Sequence, residues 1–327
     1  MRRIILAIFV VGFLASSDRA IPPQGCAVEM VSSHRLSLPV PGSAGITDLA
    51  LVVDERGTLY VSFSSWQPDG EGRRARTFPQ LASYDSNGML IRVFERPSAM
   101  PEEAQWARIN SLAYAGNRIY ATTQWHEGRW RSALLIFETS GDLRRTVMLD
   151  GLGNPRLLRL GSSIGVIGTV WTEKGEGVSV LRTFSADGEK VSERVLSETL
   201  EPKAHWLSDE AGRVLLVKPG GEIEALDPKG TIRVPGGAEH IHAAFVGDEA
   251  IIVNRVDPKT RRTSLVLLND RGERCEVDTT GRLAPMVRGA DGFFYGFGQL
   301  GIRLDAPSDR REVLVGKFRI AWRKNMR

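Results

Sequence analysis

Apolar and polar residues alternate along this chain in short runs broken by Asp-, Asn- and Gly-rich turns, which is the pattern of strands and hairpins. An apolar strand, a polar turn and a second strand of β-branched and aromatic residues recur six times. The copies read LALVVDERGTLYVSF from Leu49, SLAYAGNRIYATT from Ser111, LLRLGSSIGVIGTV from Leu157, HWLSDEAGRVLLV from His205, AAFVGDEAIIVN from Ala243 and PMVRGADGFFYGF from Pro285. Each is followed by a third strand, another polar turn and a fourth strand. These read QLASYDSNGMLIRVF from Gln80, ALLIFETSGDLRRTVML from Ala133, VSVLRTFSADGEKVSERVL from Val178, IEALDPKGTIRV from Ile223, SLVLLNDRGERCEV from Ser264 and GIRLDAPSDRREVLV from Gly301.

The turn residues have a physical reason. Asp and Asn bond their own backbone, and Gly supplies the positive φ that tight turns need. Residues 54–57, 85–88, 209–212, 227–230 and 269–272, each opening on Asp or Asn and closing on Gly, therefore read as hairpin turns. Nothing resembling a complete calcium loop surrounds their acidic residues.

Four antiparallel strands recurring six times, with no helical-period segment between them, predict an all-β fold: a six-bladed β-propeller of four-stranded antiparallel blades. A single such sheet leaves its faces bare, whereas six packed around an axis bury them. The expected organisation is a leader over residues 1–20 and a single propeller domain over 21–327. Two segments compete for the outer strand of the last blade: His34 to Val40, and Glu312 to Val315.

Composition adds compartment. The chain has 327 residues, 42% hydrophobic and 25% charged, ordinary for a globular protein and enough for a large core. It opens MRRIILAIFVVGFLASS, with two arginines, an apolar run and small residues in the layout of a secretory signal peptide, and cleavage is expected near Ser17 or Ala20. The apolar run, Ile4 to Leu14, is short against the roughly 20 residues that span a bilayer. The mature chain is therefore expected to be periplasmic or extracellular, with no transmembrane span. Cys26 follows Pro-Pro-Gln-Gly without an apolar residue three places before it, which argues against a lipoprotein. A disulfide between Cys26 and Cys275 is permitted in an oxidising compartment, two isolated thiols are the alternative, and no CxxC spacing suggests a redox or zinc site. Loss of Arg2 and Arg3 lowers the formal net charge of +4 by two. The cluster Arg73, Arg74 and Arg76 and the tail Arg319, Arg323, Lys324 and Arg327 read as solvated, and no nucleic-acid partner is expected.

The first and fourth repeats, with the lead-ins VDERG–TLYVSF and LSDEAG–RVLLV, resemble the six-bladed propellers of the NHL and gluconolactonase-like superfamily. The resemblance covers nearly all of the mature chain and lies in architecture. It departs from the family in two ways. The polar Asp and Asn that follow the second strand in NHL repeats are absent after Val61 and Val217, and the Glu, Asn and Asp set that holds a metal in gluconolactonase-like channels has no counterpart placed here. What the resemblance implies is a binding surface or a channel site.

In such a propeller the loops entering the first strands and leaving the second strands open on one face around the central channel, where function gathers. Trp66, Trp125, Trp130 and Trp171 follow second strands, while Trp106 and Trp206 lie before or within first strands. His126, His205, His240 and His242 join them. Trp66, Trp125 and Trp130 fall in longer polar loops, as platforms for sugars, bases or other flat ligands. Trp171 and Trp206 are equally well accounted for as wedges between blades.

Residues opening the first strands should line the channel mouth: Asp48, Asn110, Arg156, Lys203 or His205, and His240 or His242. A mixed ring of this kind orients a polar or anionic ligand; a solvated pore is the plainer reading. The ligand-binding candidates are thus Asp48, Trp66, Asn110, Trp125, His126, Trp130, Arg156, Trp171 and His205. His240 and His242, two apart on a strand, face the same way. With His205 they form a candidate divalent-metal site, and His126 or Asp48 would then act as base. The G-x-S-x-G at 161–165 and the G-x-G-x-x-G at 296–301 lack the following helix that gives those motifs their chemistry. The leading expectation is a non-catalytic exported binding module for a small molecule, glycan, peptide or envelope protein. The alternative is a metal-assisted hydrolase or lyase at the channel mouth.

Overall fold

The computed structural model describes residues 26–41, 44–68, 74–98, 100, 105–197, 205–208, 213–218, 222–226, 229–233, 241–246, 251–257, 259–260, 262–268, 274–280, 282–299 and 310–322. A long strand, β1 (Cys26–Pro41), comes first. The first blade follows as β2 (Gly45–Val53), β3 (Leu59–Pro68), β4 (Arg74–Tyr84) and β5 (Leu90–Val93). The second is β6 (Gln105–Ala115), β7 (Arg118–Glu127), β8 (Arg129–Glu138) and β9 (Leu143–Met148). The third is β10 (Gly153–Leu160), β11 (Ser163–Trp171), β12 (Gly177–Phe184) and β13 (Lys190–Ser197). The fourth comprises β14 (His205–Ser208), β15 (Val214–Val217), β16 (Glu222–Leu226) and β17 (Lys229–Arg233), and the fifth β18 (Ile241–Val246), β19 (Ile251–Val256), β20 (Thr263–Leu268) and β21 (Arg274–Asp278). Last come β22 (Val287–Arg288), β23 (Phe294–Gln299) and β24 (Arg310–Trp322). The chain is a six-bladed propeller of six four-stranded antiparallel sheets, as its repeat predicts.

The last sheet runs β22, β23, β24, β1, so the start of the chain supplies its outer strand. The two candidates for closure turn out to be partners. His34 pairs with Val315 and Ser37 with Glu312, which puts Glu312 to Val315 on the third strand and His34 to Val40 on the fourth. The expectation that the segment from Gly301 supplies both outer strands is thereby corrected; residues 300–309 lie outside the described residues. The reason is packing. Leu36, Leu38 and Val40 alternate along β1 and are buried against Leu51, Val53 and Phe63 of the first blade, so the segment closes the ring by covering an otherwise open face. Cys26 on β1 and Cys275 on β21 form a disulfide with Cα atoms 6.0 Å apart, tying the closing strand to the neighbouring blade.

Strands inside the ring are buried on both faces, and alternation decides which neighbour each residue meets. On β3, Leu59, Val61 and Phe63 pack towards β1 and the last blade, while Tyr60 packs into the second blade with Phe94 and Ile109. On β7, Ile119, Ala121 and Trp125 face the first blade and Tyr120 faces the third. Each fully buried large side chain is worth about 1.5–3 kcal/mol.

The turn aspartates are structural. Asp54 accepts the backbone N–H groups of Arg56 and Thr58 at 2.9 and 2.8 Å and the Tyr60 hydroxyl at 3.3 Å. Asp291 repeats the device in the last blade, accepting from Phe293 N at 3.1 Å, the Tyr295 hydroxyl at 2.6 Å and Lys317 Nζ at 2.8 Å. Gly57 and Gly292 take the left-handed φ values of 83° and 81° that these turns require. Burial first, and the neighbouring carboxylates second, push the Tyr60 and Tyr295 phenols well above their usual pKa. Asp291→Asn removes the charge facing Lys317 and is expected to cost about 1–3 kcal/mol in urea unfolding. An unchanged midpoint would show that the turn does not depend on it.

Candidate binding site

In a propeller the first strands run side by side around the axis, so their starting ends share one face. Several of them carry a β-bulge near that end. The register slips between Thr47 and Ala50 in β2, between Gln105 and Arg108 and again between Ile109 and Ser111 in β6, between Gly153 and Arg156 in β10, and between Ile241 and Ala243 in β18. A bulge leaves a residue outside the ladder and re-aims its side chain. Asp48, Asn110 and His242, all expected at the channel mouth, sit within these slips, and Arg156 ends one. Asp48, Trp106 and Asn154 hold positive φ values of 55°, 53° and 48°, strained for residues with a Cβ. Asp48 is exposed and accepts the Thr47 hydroxyl at 2.9 Å.

The second strands end on the same face. The tryptophans expected in loops belong to strands instead: Trp66 lies near the end of β3, Trp125 in β7, Trp130 in β8, and Trp171 ends β11. The β7–β8 hairpin continues as a paired ribbon to Glu127 and Arg129. Trp130 is 53% exposed, Trp171 66% and Trp106 48%. The half-buried His126 meets the Trp130 ring edge-on at 5.4 Å and pairs across β6 with Gln105, next to Trp106. Trp66 is half-buried and lies over Gly45, where any side chain would strike the indole. Trp125 departs from its expected role. It is 2% exposed and packs among Met100, Ala107 and Ile109, a wedge between blades rather than a platform.

Sequence reading missed Arg108 and Asn154. Arg108 Nη2 donates to Asn154 Oδ1 at 2.8 Å and Gln124 Oε1 at 3.2 Å, linking the second and third blades. Two more bonds stitch the second blade to β10 beside it: the Thr122 hydroxyl of β7 donates to Pro155 O at 2.9 Å, and Leu157 N donates to Ser111 Oγ of β6 at 2.8 Å. Arg108 Nε and Asn110 Nδ2 are buried without a hydrogen-bond partner. Arg156 is reached by solvent, yet the protein around it and then the nearby Arg108 charge lower its pKa.

Further along the channel, towards the hairpins that join first to second strands, lies a cavity of about 450 Å³. Val52, Tyr114, Leu157, Trp206 and Val287 from five blades contribute to its wall, which places the first strands around the channel as expected. Trp206 is half-buried there and also packs against Leu158 and Val214. The Tyr114 hydroxyl donates to Glu55 across two blades; burial first and Glu55 next push that phenol upward. Gly161 and Ser162 form the turn between β10 and β11, and Ser163 opens β11, so a strand and not a helix follows the glycine of the G-x-S-x-G.

His240 lies outside the described residues. His205 and His242 lie on β14 and β18 with their side chains outside them, as does Lys203 altogether. Among the described residues no three His, Cys, Asp or Glu groups gather as a metal site.

No protein-family model matches the chain, and no curated protein does. Solved structures do. A protein of unknown function from Dyadobacter fermentans DSM 18053 is 9% identical, covering 90% of this chain and 99% of that one at a TM-score of 0.54. A neuraminidase-like protein from A/bat/Guatemala/164/2009 is 8% identical, covering 88% and 94% at a TM-score of 0.51. The RS223 β-xylosidase, 11% identical with 84% and 93% covered, aligns at 0.47, too loosely to bear on function. Such likenesses show the propeller fold alone and do not reach the narrower NHL and gluconolactonase-like superfamily.

Proposed function

We propose that this chain is an exported binding propeller that takes a glycan or a similarly flat polar ligand at the end of the blades where Trp106, Trp130 and Trp171 stand exposed. The observation that carries the reading is those three indoles, set on strands at one end of two adjacent blades. Large aromatic surface left open to water on rigid elements is costly unless something covers it, and indole faces stack on the apolar faces of sugars. Export is supported by the Arg2–Arg3 start, the Ile4 to Leu14 run and the disulfide, a bond kept in oxidising compartments.

The test is titration of tryptophan emission against a broad glycan set, in wild type and in a Trp130→Ala, Trp171→Ala double variant. Binding is expected to weaken by about tenfold or more in the variant, while each exposed substitution changes stability by no more than about 0.5 kcal/mol. Wild-type emission that no glycan alters, with none retained on an array, would sink the reading.

A further inference from the structure

Three arginines with largely covered side chains are matched with carboxylates. Arg118 pairs with Asp187 at 2.9 Å, Arg182 with Glu193 at 2.9 Å, and Arg255 with Glu276. The half-buried Arg108 and the solvent-reached Arg156, near the start of β6 and β10, lack such a match among the described residues. Arg108 bonds only neutral amide oxygens, its Nε–H stays unpartnered, and Arg156 has no hydrogen bond or ion pair among the described residues. Arg108 reaches Asn154, two residues before Arg156, so both guanidiniums belong to this end of the second and third blades. Asn110 Nδ2, a third idle donor, leaves the β6 ladder at the bulge two residues beyond Arg108. The bonds from Arg108 to Asn154, from Thr122 to Pro155 and from Leu157 N to Ser111 Oγ hold β6 and β7 beside β10, so the donors are fixed before any ligand arrives. Two neighbouring positive charges and idle donors, with no carboxylate bonded to them among the described residues, form a preorganised receptor for an oxyanion.

We infer that the ligand of this face carries an anionic oxygen group, a carboxylate or a sulfate on a sugar, and that Arg156 together with Arg108 and Asn110 receives it. The inference rests on the binding reading above and names the chemical class of its ligand. Trp106 lies two residues before Arg108, so an acidic sugar would set its charge on the guanidiniums and its ring against the indoles.

Thermal unfolding of the intact protein in D-glucuronate, glucose 6-sulfate and glucose, with sodium chloride at matched ionic strength, tests it. Glucuronate, the sulfate or both should raise the melting temperature above the chloride control, and which one does so identifies the group; glucose should not. Arg156→Ala should weaken that anion's apparent affinity by roughly tenfold to a hundredfold, the effect of losing charge-assisted hydrogen bonds. Arg156→Lys, which keeps the charge and loses the fork, should fall between. Without ligand, Arg156→Ala should melt no lower than wild type, because it relieves like-charge repulsion. Equal protection of wild type and Arg156→Ala, or no protection of wild type by either anion, overturns the inference. Glycans that alter tryptophan emission equally in both proteins would leave the binding reading standing and remove the anion. Anion protection that depends on Arg156 while no glycan alters emission would do the reverse.

Discussion

Cys26→Ser, or the paired Cys26→Ser and Cys275→Ser variant, is expected to lose about 2–5 kcal/mol of stability, the usual cost of removing a native disulfide. The large figure follows from topology. The two cysteines are 249 residues apart in sequence, and in the chain-entropy account a bond closing a loop of that length is worth about 5 kcal/mol. It also fastens β1, which is held besides by its pairing with β24, the apolar contacts of Leu36, Leu38 and Val40, and a hydrogen bond from the Tyr84 hydroxyl to Ser37 O. Urea unfolding followed by near-ultraviolet circular dichroism measures the loss, and wild type in reductant should coincide with the variant. Hydrogen exchange should show β1 opening first, ahead of β3 and β7. Midpoints that do not move with reductant or substitution would mean that strand pairing alone holds the ring.

Trp125→Ala is expected to cost about 3–5 kcal/mol, the range for emptying a large aromatic from a packed core. Its indole lies in the core between the first two blades, with Met100, Ala107 and Ile109. Trp130→Ala, five residues on, should leave the urea midpoint nearly unchanged and act on ligand binding instead. Equilibrium unfolding of the two variants side by side decides the matter. Equal destabilisation would show that the exposed indole is also structural, and a mild effect at Trp125 would show that the wedge tolerates a cavity.

That pair of tryptophans shows what sequence could resolve. The blades were legible because each hairpin carries its own alternation and its own turn chemistry, so six copies could be aligned without knowing how they pack. Trp125 and Trp130 looked alike because both stand in a polar stretch after a strong strand. The distinguishing signal was parity: Trp125 continues the row of Ile119 and Ala121 on β7, and residues of one parity share one face. Asp48, Asn110 and Arg156 could be singled out from the repeat, which places them near the starting ends of the first strands. Arg108 and Asn154 escaped because a bulge breaks the two-residue period on which such reasoning depends, and register slips are set by contacts between blades. Closure was open for a similar reason. Pairing between the two ends of the chain leaves no local mark, and β1 and β24 each read as an acceptable last strand.

The pairing of β1 with β24 also sets the order of assembly. During synthesis the first strand emerges before every other blade and its partner arrives last, so the edge of β1 and the thiol of Cys26 must wait while five blades form. Early pairing with a wrong edge is the hazard of that interval. The ring becomes a single cooperative body when the final strand docks. A chain shortened before β24 should therefore release its own beginning, and a circular permutant that joins the two ends should remove the wait.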